Sequence, residues 1–200
     1  MQALLQRLVT LQNSSPYRTC RAPVPQDNFV HTDLHPGNIL CRPARDAAAA
    51  EAGEVELVLL DYGLAEELTG AVRRHFVSFL MCIGAGDGRA ATRHLLRWGT
   101  AQRCEDREAL EADMVRLFRE RCDVEKPGGI DVDAVMKAVL QLCRKHGVTI
   151  DSQYAALAIG VCVVMGFATS LDPDVNLMDA AIPCFLAYSL TGRVTGRLYM

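Results

Sequence analysis

Apolar residues recur at helical spacing through most of the chain after residue 70. One set falls three or four residues apart and predicts a single apolar helix face: Val72, Phe76, Phe79, Leu80 and Ile83. The same spacing predicts helices over residues 109–122, 132–146 and 154–167, and a last helix over 177–190. We therefore expect this part of the chain to be helical throughout.

Short polar residues and glycines mark the expected helix ends. Asp131 and Asp151 each precede a periodic apolar segment, where an aspartate can cap the first turn of a helix. Gly147 follows two basic residues, an order typical of a helix C-terminus. The Asp-Pro-Asp sequence at 172–174 predicts a turn.

Residues 28–70 show two short apolar runs in place of helical periodicity. Asn38–Cys41 and Val55–Leu60 are typical of strands, and a low-complexity stretch of alanine, glutamate and arginine separates them. This predicts a β-hairpin with a flexible inserted tip. Residues 1–27 predict a short helix and a loop with three prolines. We divide the chain into segments 1–27, 28–70 and 71–200 of one structural domain with a mainly helical α+β fold.

Composition narrows the possible partners. The 200 residues carry a net charge of −3 with a pI near 5.9, which gives no reason to expect nucleic acid or an anionic membrane as partner. The eight cysteines include no C-x-x-C pair, so we expect reduced, packed thiols. The longest apolar run, residues 155–168, is shorter than the roughly 20 residues that cross a bilayer, so we predict a buried helix and no transmembrane span.

Candidate chemistry is concentrated in Phe29–Leu40, FVHTDLHPGNIL. His31, Asp33 and Asn38 stand in the order H-x-D-x-x-x-x-N, which is the spacing of a kinase catalytic loop. In such a loop the aspartate orients the attacking hydroxyl or water, and the asparagine turns its amide oxygen toward Mg²⁺. We predict these roles for Asp33 and Asn38, with His31 supporting the loop.

A second element, LLDYG, follows the hairpin at residues 59–63. Asp61 at a strand end, followed by an aromatic residue and Gly63, matches the D-F-G position of kinases. Magnesium prefers oxygen ligands and takes few of them from protein. We therefore predict Asn38 and Asp61 as metal ligands, with Gly63 beside them in a site for ATP and Mg²⁺.

Other interpretations of these residues exist. His31 and His35 could be zinc ligands, but this needs a helix to put both on one face, and Pro36-Gly37 disfavours one. Taken singly, Asp33 could cap a helix and Asp61 could be a turn residue. The joint order and spacing of the two motifs favours the kinase-like interpretation.

The segments FVHTDLHPGNIL and LVLLDYGLAEELT resemble the UbiB family, also called the AarF-domain-containing (ADCK) atypical kinase-like proteins. The later ALAIGVCVVMGFATSLDPDVNLMDAAIPCFL is similar to the closing helices of that family, so the resemblance covers residues 28–190. It implies a kinase-like C-lobe that uses ATP and Mg²⁺ for ATP hydrolysis or small-molecule phosphotransfer. It also implies a link to coenzyme Q metabolism, a mitochondrial location at the inner membrane, and quinone-pathway proteins or lipid as partners.

The chain departs from the family pattern upstream of the catalytic loop. All three lysines follow Asp61, and no glycine precedes Gly37. The phosphate-clamping lysine, the K-x-G-Q motif and the nucleotide-covering loop of an N-terminal lobe are therefore missing from this sequence. We expect the chain to correspond to a C-terminal lobe that does not catalyse on its own.

Two alternative functions stay open at this point. Aminoglycoside- and choline-kinase-like phosphotransferases also use an H-x-D-x-x-x-x-N loop, although Tyr62-Gly63 and the closing helices favour the UbiB family. A non-catalytic helical interaction module is the other, because a lobe without its partner would expose an apolar cleft. A peptide substrate is disfavoured, since no A-P-E motif follows Asp61-Tyr62-Gly63.

Overall fold

The computed structural model describes residues 29–31, 33, 35–43, 45–51, 55–61, 63, 65–123 and 129–171. The fold is the mainly helical α+β fold that the sequence predicts. The elements are, in chain order, β1 Phe29–His31, a 3-10 turn Pro36–Asn38, β2 Ile39–Pro43, α1 Ala47–Glu51, β3 Val55–Leu59, β4 Ala65–Glu67, α2 Gly70–Ala85, α3 Gly88–Leu95, α4 Arg107–Arg121, α5 Val132–Lys145 and α6 Ser152–Leu171. The helix and loop expected over 1–27, the turn at 172–174 and the helix over 177–190 lie outside the described residues.

Strands β2 and β3 form the predicted hairpin. They pair antiparallel, from Ile39 opposite Leu59 to Pro43 opposite Val55. The tip differs from the prediction, because Ala47–Glu51 forms the short helix α1 where we expected only a loop. The run of alanines explains the difference, since alanine has the highest helix propensity of any residue.

A second pair of strands brackets this hairpin and was not predicted. β1 pairs antiparallel with β4, with Phe29 opposite Glu67 and His31 opposite Ala65. Three-residue strands are too short to show the alternation that identifies a strand in sequence. Because β1 pairs with β4 while β2 pairs with β3, the β1–β2 loop and the β3–β4 loop lie side by side.

Helices α2, α4, α5 and α6 confirm the helices predicted over residues 72–83, 109–122, 132–146 and 154–167. Asp131 caps α5 as expected, accepting the Ala134 N–H at 2.9 Å, and Gly147 follows this helix with φ of 65°. The carbonyl of Asp151 accepts the Ala155 N–H in the first turn of α6. Its carboxylate also accepts the Thr100 N–H at 3.2 Å, which ties the preceding loop to α6.

Between α2 and α4 the structure contains one further helix and a non-helical stretch that were not predicted. Gly86 adopts a φ of 65° and ends α2, and Asp87 then caps the separate helix α3 by accepting the Ala90 N–H at 2.8 Å. Residues 96–106 are not helical. Gly88 lets α3 approach α4 closely, since a Cβ there would stand only 2.7 Å from the Met114 carbonyl oxygen.

Trp98 lies at the centre of the bundle and is fully buried. Its ring stacks on Tyr154 with centroids 5.3 Å apart, and Phe79 meets it edge-on at 4.8 Å. The predicted α2 face belongs to the same buried core through Val72, Phe76 and Ile83. Phe76 and Phe79, which lie on the predicted apolar face of α2, are thus core residues together with Trp98.

The described cysteines are free, as expected: Cys82, Cys104, Cys122, Cys143 and Cys162. Burial raises the pKa of the Cys122 thiol and of the Cys143 thiol to about 12 each. A thiol with such a pKa stays protonated near neutral pH and is a poor nucleophile. These side chains therefore serve packing.

Helix α6 is longer than the apolar run that marked it in the sequence. Its segment Ser152–Ser170 is long and apolar enough to cross a membrane by length and composition alone, and 44% of its apolar window is buried inside the protein. A core helix of a soluble protein meets the same criterion. The expected absence of a transmembrane span therefore stays a prediction.

Candidate functional site

The two predicted motifs lie on neighbouring loops at one end of the β2–β3 hairpin. The Leu60 N–H donates to the Asn38 carbonyl at 2.8 Å, which continues the strand pairing one step beyond Ile39 and Leu59. Asp61 is the next residue after Leu60. The main chain thus brings Asn38 and Asp61 to the same end of the hairpin, while the chemical roles assigned to them stay predictions.

His35 shapes the turn that carries Asn38. Its Nδ1 accepts the Gly37 N–H at 3.1 Å and so caps the 3-10 turn Pro36–Asn38. A Cβ on Gly37 would stand 2.8 Å from Cε1 of this imidazole, so only glycine leaves the ring its place. The sequence alone suggested only a zinc ligand at His35. A capping residue followed by proline at the first helical position was the signal that could have identified its role.

Asn38 is the most buried of the predicted site residues whose side chains the structure describes, with 8% of its surface exposed. Its Nδ2 donates to the Asp33 carbonyl at 3.0 Å, and its backbone N–H donates to the His35 carbonyl at 2.9 Å. Within the described part of the chain no donor contacts Oδ1 of Asn38. An amide has one acceptor oxygen and one donor nitrogen, so this orientation leaves the oxygen for a ligand.

Asp33 lies just before the 3-10 turn Pro36–Asn38, and its carboxylate is about half exposed (48%). Its Oδ2 lies 3.9 Å from Nε2 of His35, too far for a hydrogen bond but close enough for an ion pair if the ring is protonated. Because Nδ1 of His35 accepts from Gly37, the neutral ring carries its proton on Nε2, facing this carboxylate. His31 lies in β1, and its side chain is outside the described structure, so its supporting role stays a prediction.

Asp61 adopts a left-handed backbone conformation with φ of 52°, alone among the non-glycine residues that the structure describes. This conformation costs a non-glycine residue about 1–2 kcal/mol, although aspartate tolerates it better than most. Its exposed carboxylate accepts the Gly63 N–H through Oδ1 at 3.2 Å, which partly offsets that cost. Backbone strain of this kind is concentrated at functional sites.

The donor atoms on these loops fit magnesium better than zinc. The described residues contain no group of three or more His, Cys, Asp or Glu side chains that could hold a metal ion. The zinc alternative therefore gains no support there. The amide oxygen of Asn38 and the carboxylate of Asp61 are hard oxygen ligands, and Mg²⁺ commonly takes only one or two carboxylates from protein and the rest from phosphates and water.

Comparisons with known proteins point to one family. The model of the ABC1 atypical kinase-like domain matches residues 14–95, a range that contains both motifs. No solved structure matches the chain. The family match favours the UbiB-like interpretation over the aminoglycoside- or choline-kinase-like one.

Curated relatives agree with this match at low identity. A probable serine/threonine-protein kinase, abkC, of Dictyostelium discoideum is 25% identical over 80% of this chain and 32% of its own length. A mitochondrial ABC1 family protein of Saccharomyces cerevisiae is 21% identical over 78% of the chain and 30% of its own. The probable protein kinase UbiB of Pasteurella multocida is 24% identical over 79% and 29%. The chain thus spans about a third of the length of these relatives, and the resemblance predicted from its motifs is confirmed.

Proposed function

We propose that this chain is a kinase-like protein of the ABC1/UbiB type and that it supplies the metal-binding part of an ATP–Mg²⁺ site. The reaction would be ATP hydrolysis or phosphoryl transfer to a small molecule. The supporting observation is the main-chain bond from Leu60 to Asn38, which sets the two kinase-like motifs side by side. A metal site assembled from one amide and one carboxylate requires that proximity.

In this proposal Asn38 and Asp61 would hold Mg²⁺, which when bound neutralises charge on the nucleotide phosphates. Asp33 would orient the attacking hydroxyl or water through its half-exposed carboxylate. The carbonyl of Asp33 also fixes the amide of Asn38, so one residue would position both the acceptor and the metal ligand. Gly63 would hold the Asp61 carboxylate in place through its N–H.

A small acceptor fits the chain that follows Gly63 better than a peptide does. Protein kinases place a long activation segment after this position, and it forms the platform for the peptide. Here β4 begins at Ala65 and α2 at Gly70, with Thr69 as its cap. Within these described residues the chain returns directly to a strand and a helix, which leaves no length for such a platform.

Paramagnetic Mn²⁺ tests the metal site directly, because Mn²⁺ takes similar oxygen ligands and broadens the NMR signals of nearby nuclei. With Mn²⁺ and ATP added to the chain, we expect broadening of amide signals in residues 33–41 and 58–63. Asp61→Asn keeps the shape of the side chain but removes its charge, and it should abolish the broadening. Asp46→Asn, an exposed carboxylate at the other end of the hairpin, is the matched control and should leave it unchanged. Broadening that survives Asp61→Asn would sink the proposal.

We also propose the finer features that the family implies, namely a role in coenzyme Q metabolism and a mitochondrial location. The support is that relatives from Saccharomyces cerevisiae and Schizosaccharomyces pombe are named mitochondrial. Quinone-pathway proteins or lipid would then be its partners. Cell fractionation combined with ubiquinone measurement after loss of the protein tests both features, and normal ubiquinone with a cytosolic signal would contradict them.

A further inference from the structure

Helices α2 and α3 and the turn that follows α3 carry a group of basic side chains that the proposed nucleotide site does not use. We call Arg74, His75, Arg93, His94 and Arg97 the basic cluster. His75 on α2 and His94 on α3 have ring centroids 5.9 Å apart, tilted by 45°. The three arginines are exposed and the two histidines half-buried, so the cluster faces solvent.

The arginines of the cluster have no acidic partner in the described structure. The ion pairs in the described structure are formed by other basic residues: His35, Arg89, Arg116, Lys137, Lys145 and His146. None of the described carboxylates pairs with Arg74, Arg93 or Arg97. Within the described part of a chain with net charge −3, three guanidinium groups thus stand beside two imidazoles without an acidic partner.

The charged residues that shift the pKa values of the two imidazoles are all basic. Burial lowers the pKa of His75, and Arg97 and Arg74 lower it further. Burial likewise lowers the pKa of His94, followed by the effects of His75, Arg97 and Arg93. Like charges at this spacing repel, so the cluster stabilises neither a bound cation nor its own protonated form.

Both imidazoles are only partly buried, and one ring nitrogen lacks a described partner. Nδ1 of His94 is buried without a hydrogen-bond partner among the described residues. A metal cation would be repelled by the arginines. An anion with several oxygens could instead accept from guanidinium forks and imidazole N–H groups together, which is the geometry that arginine offers to phosphate.

We propose that the basic cluster on α2, α3 and the turn after α3 is a binding site for a phosphate group, separate from the proposed nucleotide site and independent of Mg²⁺. The group could belong to a soluble phosphate compound or to a lipid headgroup, since both present the same oxygens. Either source neutralises the clustered positive charge and lets the histidines take up protons. Binding is therefore stronger at pH 6 than at pH 8.

Histidine NMR in the presence of EDTA tests this proposal, with pyrophosphate as the soluble probe. The chain has five histidines, and His146, which contacts Asp113, serves as an internal reference. At about 10 mM pyrophosphate, enough to saturate a site with a Kd near 1 mM, the imidazole signals of His75 and His94 should shift and that of His146 should not. Their pKa values should rise on binding.

Variants separate this site from the proposed metal site. Arg74→Gln combined with Arg97→Gln should weaken pyrophosphate binding by roughly tenfold or more, because two charge-assisted contacts are lost. Arg119→Gln, an exposed arginine at the end of α4, is the matched charge control and should bind normally. Asp61→Asn should also bind normally, so failure of the nucleotide proposal would leave this result intact.

Vesicles distinguish the two sources of the phosphate. Vesicles with phosphatidic acid should sediment the wild type, but not the double arginine variant, if a headgroup is the ligand. Binding of pyrophosphate without vesicle binding would identify a soluble ligand. The proposal is overturned if neither probe acts through Arg74 and Arg97, or if sodium chloride at equal ionic strength reproduces the NMR shifts.

Discussion

The strand region (residues 29–69) and the helical bundle (residues 70–171) are stabilised by different interactions. In the bundle, large side chains such as Trp98, Phe79 and Phe118 are almost fully buried. In the strand region Leu40 and Leu60 are 51% and 37% exposed, and the site loops depend on bonds such as Leu60 to Asn38. The comparison teaches that the packing of buried side chains stabilises the bundle, whereas main-chain pairing and a few polar side chains fix the geometry of the candidate site.

Removing the centre of the bundle should have the largest effect. Trp98→Ala deletes a buried indole that contacts Tyr154 and Phe79, and it should lower the free energy of unfolding by about 3–5 kcal/mol. Ile159→Ala is the control, because Ile159 is 57% exposed and its truncation should cost under about 0.5 kcal/mol. Urea denaturation followed by circular dichroism measures both. Similar losses for the two variants would refute the assignment of Trp98 as the core.

The ionic contacts of Asp113 join α4 to the end of α5 and should contribute less than the core. Asp113 accepts from Lys145 at 2.6 Å and contacts His146 Nε2 at 2.8 Å. Asp113→Asn should lower the free energy of unfolding at pH 7 by about 1–2 kcal/mol, since hydrogen bonds to a charged group are lost.

The effect of Asp113 should depend on pH. Hydrogen bonds from Lys145 and His146 lower the pKa of this carboxyl to about 2 in the folded protein, below its ordinary value of 3.8. The folded state therefore favours the ionised form, and the stabilisation is fully present above pH 4 and lost as the pH falls toward 2. Urea titrations at pH 7, 4 and 2.5 should show the wild type converging on Asp113→Asn. Glu105→Gln, an exposed carboxylate on the loop before α4, should show no such convergence.

Thr69 stands between the two regions and offers an intermediate test. Its Oγ1 accepts the Val72 N–H at 3.3 Å and so caps α2 directly after β4. Thr69→Ala should cost about 1 kcal/mol, while Thr69→Ser, which keeps the hydroxyl, should cost little. Hydrogen exchange would show whether the lost protection is limited to the first turn of α2. Equal loss in both variants would show that the methyl group, and not the cap, matters.

The difference between the helical bundle and the strand region also explains how much of the structure could be predicted from the sequence. Helices of the bundle were found because apolar residues such as Val72, Phe76 and Ile83 repeat at the period of the structure that buries them. The motifs at Asn38 and Asp61 could be proposed because a kinase-like site would need fixed residue types at fixed spacing, and their chemical roles stay predictions. β1 and β4 were missed because a three-residue strand has no measurable period. α3 was missed because the close contact of Gly88 with α4 exists only in the folded protein and cannot be inferred from the sequence.

Spatial clusters of residues distant in sequence were also beyond sequence analysis. The basic cluster joins residues near 75 on α2 with residues near 95 on α3, and nothing in the order of the residues pairs them. Net charge alone does not reveal such a cluster, because a total of −3 says nothing about where the charges lie. Charge acts locally at distances near 10 Å, so its placement matters more than its sum.

Asp61 should show the smallest change in stability and the clearest loss of binding. Its φ of 52° suits glycine, so Asp61→Gly relieves strain but adds chain entropy to the unfolded state and loses the bond to Gly63. These effects oppose one another, and the free energy of unfolding should change by less than about 0.5 kcal/mol. Asp61→Val should instead cost about 1–2 kcal/mol, because a β-branched side chain opposes the left-handed conformation.

Both Asp61 variants should lose the Mn²⁺–ATP broadening, since neither keeps a carboxylate. A single substitution would then change metal binding without changing stability, because Asp61→Gly would be as stable as the wild type and bind no metal. Urea denaturation and the NMR experiment on the same samples measure the two properties. A markedly destabilised Asp61→Gly protein would show that the Asp61 carboxylate holds the hairpin together. Asp61 would then be a residue needed for stability, which contradicts the contrast between a packed bundle and a strand region whose polar residues form the candidate site.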